Sequence, residues 1–245
     1  MIAVSDGYNL LIDQIRADGR GLSLTIDEFN SFIRTVNERI YAKYYKGFET
    51  SSDNSEALGK FKEFNESVAL TTGVGSLPSD FKELIGKPRV LDGSTYRYVD
   101  LVSTYELAKR EMDYLTQPSV TYPVCQLGGL DANDNLQIRV YPITIGTVYV
   151  DYLRTPDIPF LDYYINDTTL VYTHMAAGAT VAVPVGSTAR NGTAGAANVT
   201  SLTVNFEWDD SELALILSML TQMVGLALPS EELVQVGNNE EQKNQ

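Results

Sequence analysis

The sequence predicts an α+β protein: N- and C-terminal helices packed together, a small and mainly antiparallel β module between them, and an inserted β arm. Three observations predict it. Thr25, Ile26, Asp27 and Glu28 form a capping box ahead of apolar residues spaced three and four apart. Residues 136–159 alternate apolar and polar side chains with period two. Residues 213–224 are apolar at helical spacing and nearly all round. The resulting regions are an N-terminal helical region (1–66), a β-rich central module (67–160), the inserted β arm (161–205), and C-terminal helices with a tail (206–245).

Residues 6–17 read as a short helix carrying Leu11 and Ile15, ended by Gly19 and Gly21. The capped helix that follows has a stripe of Phe29, Phe32, Ile33, Val36, Ile40 and Tyr44, with Arg34, Asn37, Glu38 and Lys43 elsewhere. Tyr41, Tyr45 and Phe48 widen that stripe beyond what one core contact needs. This makes them candidate interface residues, since aromatics are enriched where proteins meet. After a polar linker at 51–55, a third helix is expected over 56–65 with Leu58, Phe61 and Phe64 inward.

In the central module, Pro78 suits the first turn of a short helix ending near Gly86. Asp92-Gly93 marks a hairpin between 89–91 and 96–101. A charged helix is expected over 103–114, with Ser103 as cap, Leu107 and Met112 inward, and Glu106 pairing with Arg110. Gly128-Gly129 turns the chain into a hairpin of 136–141 with 147–154, whose polar face would pair Arg139 with Asp151. Beyond Pro159, strands are expected at 170–172, 180–185 and 199–206, joined by a Gly-, Ala-, Ser- and Thr-rich mobile tip at 186–197. The last main helix starts at Asp209, Asp210 and Ser211. It presents Leu213, Ile216, Leu217, Leu220 and Val224 on one side and Leu215, Met219 and Met223 on the other, a pattern that fits burial inside the fold or between subunits. Gly225 and Pro229 end it, a short helix follows Ser230, and 238–245 is a polar tail.

The net charge of -14 and a pI near 4.4 argue against a surface that tracks nucleic-acid phosphates. A single cysteine, Cys125, gives no intrachain disulfide and no cysteine-based zinc site. The N-terminal residues lack the basic flank and apolar core of a signal peptide, and 213–228 is too short and too polar to span a bilayer, so a soluble protein with no membrane insertion is expected.

No catalytic set, cofactor site or metal site stands out. A catalytic triad would have to use His174, the single histidine, which lies in the arm away from any nucleophile elbow. Cys125, between Val124 and Gln126, reads as a buried inert thiol. Asp131, Asn133 and Asn135 match the start of a calcium loop, but Leu136 stands where it needs Gly and Pro142 where it needs Glu, so a polar turn is the better account. Gly73-Val-Gly75 lacks the rest of either nucleotide-binding fingerprint.

The order of several short motifs carries a resemblance. Asn9, Asp13, Ile15 and Arg16 on the first helix and 24–29 (LTIDEF) on the second are followed by 77–81 (LPSDF), then Thr116, Pro118 and Pro123. After these come 138–142 (IRVYP), then Val150, Asp151, Tyr152, Arg154, Pro156 and Pro159, and an apolar C-terminal helix closing on Gly225. In this order the chain resembles the head-to-tail connector, or adaptor, ring proteins of tailed bacteriophages, and is most similar to ring proteins of crAss-like phages. The likeness covers most of the chain except 163–203. It implies a non-enzymatic virion protein made in the host bacterial cytoplasm. About twelve copies would form a ring at the capsid-tail junction, touching the portal protein and further tail or ring proteins and lining the channel through which genomic DNA passes. The alternative, suggested by 15 tyrosines and many acids, is a carbohydrate-binding or carbohydrate-active module.

Overall fold

The computed structural model describes residues 2–17, 24–48, 51–190, 195 and 198–227. Helices α1 (Val4–Ala17) and α2 (Ile26–Tyr45) come first. The Thr25 hydroxyl accepts from the Glu28 N–H at 3.3 Å and the Glu28 carboxylate accepts from the Thr25 N–H at 2.9 Å, as the capping box requires. The bonds that the Thr25 N–H and hydroxyl donate to the Glu28 carboxylate hold that carboxyl below its ordinary pKa. The expected third helix over 56–65 is corrected. Helix α3 (Ser52–Ala57) begins within the expected linker, and a 3-10 turn at Gly59–Phe61 leads directly into strand β1 (Lys62–Ala69). Leu58 and Phe61 are buried, but Phe64 points to solvent.

Residues Ser55–Thr155 form one of two units. Its remaining elements are β2 (Val74–Ser76), β3 (Phe81–Leu84), β4 (Arg89–Asp92), β5 (Thr95–Tyr98), β6 (Asp100–Leu101), α4 (Thr104–Met112), β7 (Val124–Leu130), β8 (Leu136–Tyr141) and β9 (Thr147–Arg154). One sheet runs β1-β9-β4-β5 with β3 also on β9, and the other runs β2-β8-β7-β6. The expected hairpin of 136–141 with 147–154 is therefore overturned, because β8 and β9 belong to different sheets. Residues 142–146 form a corner between them. β8 takes β2 and β7 as antiparallel neighbours while β9 takes β1, β3 and β4. The inward residues of both, Ile138, Val140, Val148, Val150 and Tyr152, then share one core with Val68, Leu77 and Val90.

Asp151 consequently does not meet Arg139. It accepts from Arg89 Nη2 at 2.6 Å and from the Asn65 N–H at 2.7 Å. Asn65 has φ 59° at a break in the β1–β9 register, so this carboxylate anchors a bulge. Two further expectations are corrected. Residues 77–86 form a turn and β3 rather than a helix, and Gly128-Gly129 sit in an irregularity of β7 rather than in a turn. The turn is at 131–135, where Asp131 accepts from the N–H groups of Asn133 and Asn135. Asp92-Gly93 does turn β4 into β5, with Gly93 at φ 62°. Gly75 is a packing glycine, since a Cβ there would stand 2.7 Å from the Ala69 carbonyl oxygen.

The other unit comprises Met1–Asn54 and Pro156–Gln245. Its later elements are β10 (Asp162–Asn166), β11 (Tyr172–Met175), β12 (Thr180–Ala182), β13 (Ser187–Ala189), β14 (Asn198–Thr200) and α5 (Leu213–Ala227). α5 packs against both α1 and α2, which brings the N- and C-terminal helices together. The β arm contains β11-β10-β13 and β12-β14, closed over Met175, Val183, Ala189 and Val199. β10 is a strand that composition did not announce, and 170–171 precedes β11 as exposed loop. The base of the arm is tied to α2. Asn30 donates to the Leu161 carbonyl at 2.9 Å and accepts from the Leu161 N–H at 2.8 Å, and Tyr163 donates to Asp27 at 2.7 Å. Burial and that carboxylate push the Tyr163 phenol up to about 12. The expected mobile tip is corrected at 187–189, which form strand β13 paired with β10, and the rest of it falls partly, and the expected final helix and polar tail wholly, outside the described residues. No helix among the described residues is long and apolar enough to cross a membrane.

Candidate interaction surface

The interface residues named from sequence have different positions. Leu215, Ile216, Met219, Leu220 and Val224 are buried within their own unit, and Leu213, Leu217 and Met223 are half-buried. Tyr41 is buried, while Tyr45 and Phe48 are half-buried. Tyr41 and Tyr45 stack with ring centroids 6.0 Å apart. Near them lies a buried polar contact that composition did not reveal. Asn37, expected on the polar side of α2, is buried. It accepts from Trp208 Nε1 at 2.7 Å and donates to the Asp157 carbonyl at 3.1 Å. Tyr44 packs on Trp208 and donates to Glu212 at 2.6 Å, and burial with that carboxylate raises its pKa.

The large apolar side chains left uncovered concentrate elsewhere. Half of the exposed large hydrophobic residues described lie in residues 91–122, on β4, β5, β6, α4 and the loop after α4. α4 is built as the sequence predicts. Ser103 caps it by accepting from the Glu106 N–H, and Arg110 reaches Glu106 at 2.7 Å and Asp100 at 3.7 Å. Only Leu107 on its apolar side is buried, in a small cluster with Val102 and Val124. Met112, expected inward, is 88% exposed at the last residue of α4.

The loop that follows has a specified backbone and uncovered side chains. Asp113 Oδ1 accepts from the Leu115 N–H, and Ser119 and Tyr122 exchange backbone bonds at 3.1 and 3.3 Å. Yet Tyr114 is 90% exposed, Leu115 89% and Tyr122 76%. Short local hydrogen bonds thus hold large apolar groups in water, an arrangement that costs solvation free energy unless another surface covers them. Aromatic and methionine side chains are also the types enriched in the centres of protein interfaces.

A polar cleft of about 710 Å³ occupies the same unit, lined by Ser67, Ser76, Ser79, Asn133, Asn135 and Gln137 together with Glu66 and Asp131. Its described lining contains no aromatic ring and no basic residue. Bonds from Asn135, Ser76 and Asn133 lower the pKa of Asp131, so that carboxylate is engaged in holding its own turn. His174 lies on the exposed side of β11, and Cys125 is buried in β7, where desolvation pushes its thiol up to about 12. Among the described residues no three His, Cys, Asp or Glu side chains are grouped to hold a metal ion. No protein-family model matches the chain, and no curated protein matches it either.

Proposed function

We propose that the chain is a structural subunit of an oligomeric ring joining the portal vertex of a phage capsid to the tail, with the DNA exit channel through its centre. The observation that carries this reading is the uncovered apolar and aromatic surface of residues 101–122, held by a well-bonded backbone. A subunit meant for assembly needs such a surface, whereas an isolated protein gains nothing from it. The ordered motifs that resemble connector ring proteins supply the kind of assembly, and the net charge of -14 suits a DNA conduit, because like charge keeps the genome from adhering to the wall. The polar cleft offers hydroxyls and carboxamides but no ring for a sugar to stack upon, so it gives the alternative of a carbohydrate-binding module no particular support. The test is quantitative mass spectrometry of purified virions. A fixed ratio of this protein to portal protein, matching a ring of equal order, is the expected result. Its absence from particles would defeat the reading.

A further inference from the structure

Among the described residues the dipeptide Asp-Gly occurs at Asp6-Gly7 and at Asp92-Gly93, in surroundings that set the two apart. Such a linkage is intrinsically reactive: the glycine nitrogen can attack the preceding side-chain carboxyl, and a glycine has no Cβ to crowd the approach. What holds that nitrogen decides whether it does. In α1 it is held. The Gly7 N–H donates to the Ala3 carbonyl at 3.3 Å, Gly7 is buried, and a Cβ there would touch Phe206 at 3.9 Å. Attack would require the start of the helix to unwind. In the turn from β4 to β5 it is free. Asp92 and Thr95 are the last paired residues, and Gly93 and Ser94 between them are exposed. Among the described residues no acceptor takes the Gly93 N–H, and beyond its chain neighbours no atom lies within 4 Å of where its Cβ would stand. The Asp92 carboxylate accepts no backbone N–H; its neighbour is Arg97 Nε at 3.6 Å, on the edge strand β5. Nucleophile and electrophile thus meet in an exposed segment with few contacts to lose when it opens locally.

We propose that Asp92-Gly93 is a site of spontaneous covalent modification, at which the β4–β5 turn isomerises to an isoaspartyl linkage while α1 protects Asp6-Gly7. The Gly93 nitrogen forms a bond to Asp92 Cγ, its proton and the hydroxyl of the protonated carboxyl leave as water, and a succinimide closes. Water then adds back at one of the two imide carbonyls. Opening at Cγ restores aspartate. Opening at the original backbone carbonyl routes the main chain through Cγ, one methylene longer, and turns that carbonyl into a free carboxylate, so mass and net charge are unchanged. The extra methylene falls in a two-residue loop whose geometry fixes the pairing of Asp92 with Thr95. It therefore unseats the register that sets Tyr96 opposite Leu91 and Tyr98 opposite Arg89.

The test incubates the folded full chain at neutral pH for several weeks, beside the same chain in denaturant, and follows its tryptic peptides by liquid chromatography and electron-transfer mass spectrometry, which distinguishes the two linkages. Trypsin places Asp6 in peptide 1–16 and Asp92 in peptide 90–97. Asp18-Gly19 and Asn191-Gly192, which lie outside the described residues, fall in other peptides. In the folded chain, 90–97 should gain a second peak of unchanged mass that grows with time, while 1–16 stays as it began. In denaturant both peptides should convert. Asp92→Glu should abolish the new peak, because its side chain would have to close a larger and less favourable ring. A folded chain in which 1–16 converts as fast as 90–97, or in which neither converts, overturns the proposal. So does a new 90–97 peak that persists in D92E, and a 1–16 peptide that stays inert in denaturant would show that helix α1 is not what spares Asp6.

Discussion

Helix α5 and the α4 region treat apolar side chains in opposite ways. α5 is apolar on every side, and α1 and α2 cover it, so that Ile216, Leu220 and Val224 are all buried. α4 is short and charged, and buries only Leu107, while it and the loop behind it hold Tyr105, Met112, Tyr114 and Leu115 in solvent. The number of apolar residues in a segment therefore does not decide whether they stand in solvent. What decides it is whether another element covers them, and covering is a property of topology.

Charging the covered side should have the most severe effect. Leu220→Asp places a carboxylate where the side chain is fully buried between helices, and should cost several kcal/mol and abolish cooperative unfolding of the native state. A folded L220D protein with an unchanged melting temperature would refute the assignment of α5 to the core. An intermediate effect is expected at Asn37→Ala. This strips the Trp208 indole N–H of its acceptor and the Asp157 carbonyl of a donor, for about 1–3 kcal/mol by denaturant titration. The smallest effect belongs to the uncovered surface. Leu115→Asp should change the stability of the isolated chain by no more than about 0.5 kcal/mol, and a larger loss would mean that this side chain is packed after all.

Local signals were legible wherever the interaction is local. The caps at Thr25 and Ser103 act within three residues, the Asp92-Gly93 turn within two, and the period-two pattern correctly places Val148, Val150 and Tyr152 on a buried face. What could not be read is partner choice over distance. β8 and β9 adjoin in sequence with turn residues between them, so a hairpin is the natural inference, yet their hydrogen bonds go to other strands. Phe61 and Phe64 are spaced for a helix, but pairing of β1 with β9 overrides that spacing. Asn37 meets Trp208 across 171 positions, and no local pattern marks either as a partner. The surface on the loop after α4 did leave one mark, the absence of any charged residue from 114 to 130, which hydrophobic periodicity does not measure.

The division of the chain into a continuous unit and a discontinuous one sets an order of events during synthesis. Ser55–Thr155 has all of its strands once Thr155 is made, whereas the apolar stripe of α2 waits for α5 to emerge. At about 5–20 residues per second, the roughly 70 residues in between take about 4–14 s. For that interval the nascent chain presents a finished β unit ahead of exposed Phe29, Ile33 and Ile40, side chains that the native fold buries completely. A chaperone that binds apolar helices therefore has its window from the synthesis of α2 until Ala227 is made, and for the last part of that window it shares the nascent chain with a completed β unit.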